Sequence, residues 1–445
     1  MRILIVGTAG RDFHVFNTIY RNDPAQQVVG FTSADLAARG TGHYPACLAG
    51  PLYPDGLPIF PEAELAEVIG AHGVSQVVFA YSEIACPDVA GLAARVLAAG
   101  ADFLLVNPHR VMLHTARPVI AVTAARSGAG KSPTVRYLAE LLGSWGLRVA
   151  VVRHPLRAQS FATDREHDVA LIDDVVVDAC AAPVREPFDS VPGVTVFSGL
   201  DFGAILTAAE AEADVILWDG AGSDLPFVKP GLHIVLTDPL QAEEGSEYFP
   251  GEVGLRLADV VIVSKCDSAT PEQVALVERT VHRANPDAVL LTADSPVIVR
   301  GGANVAGRTV VVVEEALTLS LGALRPGAGI AAAHQVGVTG IISPLPQAVG
   351  ALADVYAGHP EAQSVLPAMG YGPDELADLR ATLEATPSEA VIDATRVDLA
   401  SLLGLARPVA RAAYAIRPHD PERLAELVRA ALGQAQGTRP RVGRA

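Results

Sequence analysis

Ala125-Arg126-Ser127-Gly128-Ala129-Gly130-Lys131-Ser132 is the stretch whose reading decides the fold. It follows an apolar run, Pro118-Val119-Ile120-Ala121-Val122-Thr123, and opens an amphipathic run from Thr134 to Leu142. A strand, a Gly-rich turn closing on Gly-Lys-Ser, and a helix make a phosphate-binding P-loop. Small residues let successive backbone N–H groups face one anion, and the helix aims the positive end of its dipole at it. Ser127, Gly128, Ala129 and Gly130 then line the phosphates, Lys131 reaches the β- and γ-phosphates, and the Ser132 hydroxyl helps hold Mg²⁺. Ala125 replaces the first glycine of the usual pattern, which the turn tolerates if its φ is negative. The competing reading is a Gly-rich loop that binds no nucleotide; the strand–loop–helix context favours the P-loop.

Around this loop the chain reads as α/β. Short Val/Ile bursts (Ile3-Leu4-Ile5-Val6, Val149 to Val152, Val260 to Val263, Val310 to Val313) alternate with Ala/Leu/Glu-rich helical stretches, the pattern of buried parallel strands. At 445 residues, half of them hydrophobic and 19% charged, the chain is globular and long enough for two or three domains. Three are expected: a Rossmann-like domain over 1–115, a P-loop NTPase domain over 116–308, and a C-terminal α/β extension over 309–445 packed on the P-loop domain. A formal charge of −17 argues against a nucleic-acid partner held through a broad basic face. No apolar run is long enough to span a membrane, and the N-terminus passes straight into a strand, so neither a membrane partner nor a signal peptide is expected. Cys47, Cys86, Cys180 and Cys266 have no metal-binding or redox spacing, which fits a cytoplasmic protein.

The first domain carries Gly7-Thr8-Ala9-Gly10 directly after a strand. The third glycine of a dinucleotide fingerprint is replaced by Phe13, and no acidic residue ends the second strand, so NAD is not expected. Arg11, Asp12, His14 and Asn17 crowd the following helix start, and with Gly7 and Gly10 they make a plausible anion site for an acceptor. The alternative is that Asp12 caps the helix and Arg11 pairs locally.

In the second domain, Leu147 to Arg153 is a strand whose end points Arg153 and His154 toward the phosphates. Residues 156–200 are acidic and poorly patterned, either a mobile segment over the site or a peripheral insertion. The strand Asp214 to Trp218 ends in Asp219-Gly220-Ala221-Gly222, a Walker-B-like element whose Asp219 holds the Mg²⁺ shell. Ser264-Lys265-Cys266-Asp267 resembles a base-recognition motif of GTPases, with Lys265 and Asp267 as nucleotide contacts. Ser264 stands where Asn or Thr is usual, which leaves ATP, or else GTP, as the co-substrate.

Arg126 occupies the place where the deviant P-loops of SIMIBI-class proteins carry a signature lysine. A cation there can stabilise phosphoryl-transfer charge within the chain or across a dimer, and a homodimer is the expected assembly. With Gly-x-x-Gly-Arg-Asp-Phe-His-x-Phe-Asn at 7–17, Ala-Gly-Pro-Leu-Tyr-Pro-Asp-Gly at 49–56, Arg-Ser-Gly-Ala-Gly-Lys-Ser at 126–132, Ile-Leu-Trp-Asp-Gly at 216–220, Tyr-Phe-Pro-Gly-Glu at 248–252, Ala-Asp-Ser-Pro at 293–296 and Leu-Pro-Ala-Met-Gly-Tyr-Gly at 366–372, the chain resembles the cyclic 2,3-diphosphoglycerate synthetases. The resemblance implies an ATP-dependent ligase that activates one phosphate of 2,3-bisphosphoglycerate and closes an intramolecular pyrophosphate, releasing ADP and phosphate. Arg126, Lys131 and Asp219 are then catalytic, and the small phosphorylated substrate is clamped by Arg11, His14, Arg153 and His154. Two other classes stay open: a GTP-binding switch or metallochaperone, which Ser-Lys-x-Asp permits, and a nucleotide-sensing binding protein without turnover.

Overall fold

The Val/Ile bursts become strands because helices cover both faces of the sheets they form, so every side chain of a central strand meets apolar surface. The computed structural model describes residues 1–8, 10–34, 42–81, 84–153, 158–164, 167–172, 175–178, 184–187, 191–220, 222–241, 248–315, 327–358, 363–395 and 397–436, with the backbone alone between 158 and 187.

The N-terminal sheet contains β1 (Arg2–Val6), β2 (Gln27–Ser33), β3 (Gly42–Tyr44), β4 (Leu57–Pro61), β5 (Gln76–Phe79) and β7 (Asp102–Leu105), in the order β3-β4-β2-β1-β5-β7. All its neighbours are parallel except β3 with β4. The chain leaves β1 for β2 on one side and later returns to β5 on the other. The turn at residues 7–10 therefore lies at the switch point, where open α/β sheets place ligands. The two-residue β6 (Ile84–Ala85) belongs to a separate pairing.

The P-loop sheet is built on β8 (Val119–Ala124), whose six residues are all buried. Its order is β13-β14-β9-β15-β8-β16-β18-β19-β26, with β9 (Val149–Arg153), β13 (Val184–Pro187), β14 (Val194–Ser198), β15 (Val215–Asp219), β16 (Leu232–Thr237), β18 (Val260–Val263), β19 (Val289–Asp294) and β26 (Arg417–Pro418). Only the two edges, β13 and β26, run antiparallel. The helix Lys131–Ser144 lays Val135, Leu138, Ala139 and Leu142 on one face, against Ile120, Val122, Val151 and Leu217. The helix Phe202–Glu212 covers the other with Ile205 and Ala209, against Ala121, Ile216 and Trp218. Each such Leu, Ile or Val contributes about 1.5–3 kcal/mol of burial. Within the poorly patterned 156–200 stretch the backbone forms an antiparallel sheet of β10 (Ala158–Asp164), β11 (His167–Ile172) and β12 (Val175–Asp178). β17 (Tyr248–Phe249) pairs antiparallel with β6, joining the N-terminal and P-loop halves of the chain.

By their contacts the residues form two compact units, Met1–Asp294 with Ile416–Ala445, and Ser295–Ala415. The second unit thus begins before the boundary expected at 308, because β20 (Val297–Arg300) pairs with β25 (Val409–Tyr414). Its sheet continues through β24 (Ala390–Ala394) to β21 (Thr309–Glu315), which is flanked by β22 (Gly340–Ile341) and β23 (Leu366–Ala368). The expected 309–445 extension is divided in the same way, since β26 pairs with β19 in the first unit. Spacing alone had not marked any cysteine for pairing, yet Cys47 is disulfide-bonded, while Cys86 and Cys266 form no disulfide.

Candidate active site

The P-loop leaves β8 at Ala124. Ala125 donates its N–H to the Leu236 carbonyl at 2.9 Å, and among the described residues only Lys265 is a non-glycine with positive φ. Ala125 thus meets the condition that lets it replace glycine. Gly128 and Gly130 have φ of 81° and 97°, the left-handed region that favours glycine. The helix starting at Lys131 has no side-chain cap and no acidic residue in its first turn, so no carboxylate of that turn meets its N–H groups and dipole end. Lys131 Nζ donates to the Gly222 carbonyl. Ser132 is exposed at the helix start and Ser127 is half-buried. Ser264, fully buried, donates to the Ala129 carbonyl at 2.8 Å and also lies 2.9 Å from the Thr237 carbonyl. The residue that departs from the base-recognition pattern therefore braces the phosphate loop.

Strand register sets the next contact. Asp219 on β15 lies opposite Val122 of β8 and Arg153 of β9, and the Arg153 Nε–Asp219 Oδ2 distance is 3.4 Å. Asp219 is buried at the carboxyl end of its strand. One hydroxyl and one carboxylate suit Mg²⁺, a hard cation that completes its shell with phosphate oxygens and water. Ser132 and Asp219 are the residues that would hold it, and its chemistry there is neutralisation of phosphate charge. Lys265 pairs with Asp238 at 2.7 Å, and its φ of 54° marks a tight bend. Asp267 is exposed just before the Thr270–Gln273 capping box that starts the helix Pro271–Ala284. Beneath the loop, Thr123 Oγ1 lies 2.8 Å from His233 Nε2. Burial pushes His233 down to about 4, so this ring is neutral near pH 7.

The 7–17 motif is organised differently. Asp12 Oδ1 accepts from the N–H groups of Gly10 and Phe13 at 3.0 and 2.7 Å, and a Cβ on Gly7 would meet Asp12 Oδ2 at 2.6 Å. The carboxylate of Asp12 therefore fills the place an external anion would take, as the capping alternative has it. His14 stacks on Phe227 with centroids 4.1 Å apart and lies 2.7 Å from the Val111 carbonyl. Asn17 Oδ1 accepts from Tyr44 at 3.0 Å. His14 thus packs against the P-loop half, and Asn17 ties its helical segment to β3. His154 lies outside the described residues.

Arg11, like His14, reaches the P-loop half. It is buried, with Nη1 3.8 Å from Asp224 Oδ1 and the guanidinium 5.7 Å from the Phe249 ring centroid. Arg126 lies over the neighbouring ring, 4.1 Å from the Tyr248 centroid, and donates to its hydroxyl at 3.2 Å. Each such cation–π contact is worth about 0.5–2 kcal/mol. Gly251 follows at once, and a Cβ there would fall 1.9 Å from the Ala125 carbonyl oxygen. The segment 248–251 thus abuts the start of the P-loop while holding one arginine from each half. Ser223 and Asp224, each 1% exposed, escaped sequence inspection. The available signal was their place a few residues beyond Asp219 on a Gly-rich loop.

The sequence profile described as "Cyclic 2,3-diphosphoglycerate synthetase, P-loop domain" matches residues 161–293. The arginine synthetase ArcE of Thermococcus kodakarensis is 39% identical over 429 residues, 96% of each chain. The cyclic 2,3-diphosphoglycerate synthetase of Pyrococcus furiosus is 28% identical over 171 residues, 38% of this chain and 37% of its own. Among solved structures, LpxK of Aquifex aeolicus in complex with ATP aligns at 14% identity with a TM-score of 0.43, over 72% of this chain and 90% of its own. No helix among the described residues is long and apolar enough to cross a membrane. Its P-loop geometry and its end-to-end likeness to ArcE together place this chain in the family of P-loop, ATP-dependent synthetases that includes the arginine synthetase and the cyclic 2,3-diphosphoglycerate synthetases.

Proposed function

We propose that the chain is an ADP-forming ligase that phosphorylates an acceptor oxygen with the γ-phosphoryl group of ATP, after which a nitrogen nucleophile displaces it, as an arginine synthetase would require. The supporting observation is likeness to ArcE over 96% of both chains. A guanidinium carbon is reached from a ureido group by replacing its oxygen with nitrogen. Phosphorylation makes that oxygen a leaving group, ammonia forms the new C–N bond, and the oxygen departs in phosphate. ATP, a ureido amino acid and ammonia give the guanidino acid, ADP and phosphate.

In this scheme Lys131, Ser132 with Mg²⁺, and Asp219 organise the nucleotide, while Arg126 balances charge as the phosphoryl group transfers. Arg11 and Arg153 face the acceptor. Both are already matched by carboxylates, Asp224 and Asp219, as Lys265 is by Asp238. Charge so balanced suits a neutral or zwitterionic acceptor better than a polyanion.

The second reading is closure of 2,3-bisphosphoglycerate to the cyclic product, supported by the profile match and by the partial likeness to those synthetases. It shares the first step and differs in the acceptor. ADP release should rise with citrulline plus ammonium, and arginine should appear by mass spectrometry. A rise with 2,3-bisphosphoglycerate alone would select the second reading. Stimulation by neither acceptor would remove the ligase assignment in favour of a GTP-binding switch, for which GTP binding is the check.

A further inference from the structure

The loop 222–224 is held from two directions. Lys131 Nζ takes the carbonyl of Gly222, whose φ is 50°, while Ser223 and Asp224 turn inward and are both 1% exposed. Arg11 enters from the N-terminal turn and stops 3.8 Å short of Asp224, beyond hydrogen-bond reach. Arg11 Nη1 and Ser223 Oγ are buried without a hydrogen-bond partner. Leaving such groups unsatisfied costs about 1–3 kcal/mol each, and native interiors rarely keep them unless water or a ligand completes them. Here a cation and an anion meet from two halves of the first unit, with a buried hydroxyl on the residue next to the anion, beside the loop that Asp219 opens.

We propose that Arg11, Ser223 and Asp224 form the head-group site for an α-amino acid acceptor. Arg11 and Ser223 donate to its carboxylate, and Asp224 accepts from its ammonium. The inference rests on the arginine-synthetase reading and adds what selects the substrate. A zwitterion brings an ammonium to Asp224 as well as a carboxylate to Arg11, whereas an acid lacking the amino group forgoes that charge-assisted hydrogen bond. Entry is coupled to the nucleotide, because a bound phosphate claims the Lys131 ammonium that now grips Gly222 and so releases the loop.

The test compares citrulline with 5-ureidopentanoic acid, the same molecule without its α-amino group, each with ATP and ammonium. The wild type should prefer citrulline by on the order of 100-fold in kcat/KM, the size of a lost charge-assisted hydrogen bond. In Asp224→Asn that ratio should collapse toward one through a raised KM for citrulline, and Ser223→Ala should raise KM for both acids. Equal losses on both acids in Asp224→Asn would mean a structural role and overturn the proposal. If the variant fails to fold, the wild-type ratio still decides, since turnover of citrulline without preference for its amino group overturns this site alone. Absence of any citrulline turnover would remove the parent reading and this one together.

Discussion

Two glycine turns follow two buried parallel strands in this chain, and they treat an anion in opposite ways. The P-loop turn ends in Gly130 with no carboxylate in the first turn of its helix. The N-terminal turn ends in Gly10 and places Asp12 inside the corresponding position, where it consumes the N–H groups of Gly10 and Phe13. Both glycines sit at positive φ. What separates a turn that awaits phosphate from one that is already satisfied is therefore the side chain that follows it. A Gly-x-x-Gly turn is ambiguous until the residues at the helix start are read as possible occupants.

The comparison predicts unequal responses. Removing the cation of the open turn should cost the most: Lys131→Ala should lower ATP turnover by about 10³-fold or more, with folding retained by circular dichroism. Turnover within tenfold of wild type would mean that the loop is not the donor site. The floors beneath the turns also differ. β1 offers only apolar side chains there, Ile3 to Val6, whereas β8 carries Thr123 against the buried His233. His233 is lowered from 6.5 to about 4, so the unfolded chain takes up a proton that the folded chain refuses between those values. Stability should be fully present above pH 6.5 and fall by roughly 3 kcal/mol on acidification toward pH 4. Denaturant titrations of wild type and His233→Gln should therefore converge in slope against pH above 6.5 and diverge below it; parallel curves would contradict a neutral buried ring. The smallest effect belongs to the closed turn. Asp12→Ala should cost about 1–2 kcal/mol of stability through the lost cap and leave the affinity for ATP unchanged. A change in ATP affinity beyond threefold would show the two turns to be linked.

Much of this was legible in the sequence, for reasons that differ by region. The P-loop was readable because Gly128, Gly130, Lys131 and Ser132 are dictated locally, by backbone angle and one ligand. Asp219 was readable because it ends a strand adjacent to β8 in a sheet whose order follows from βαβ topology. Arg11 was singled out from its place at the helix start, but its partner Asp224 is more than two hundred positions away, and no local rule links them. His14 and Asn17 looked like acceptor groups because they are polar beside a helix start. The structure spends them on Phe227, Val111 and Tyr44 instead. Ser264 was read as a departure from the base-recognition motif, and only the packing of β18 beside the loop shows it bracing Ala129.

Tyr248 and Phe249 carry a consequence for how this protein can be divided. The pair forms β17, which finds its strand partner in β6 of the N-terminal half. The Phe249 ring also packs edge-on against Phe79, with centroids 5.5 Å apart. A P-loop half produced alone by cutting at 107–117 would keep every strand of its own sheet and still lose the partner of the segment that holds Arg126. Such a fragment should fold and bind nucleotide, yet hold Arg126 against a segment that has lost its strand partner. The two halves are separable as sheets, but the segment beside the P-loop belongs to both.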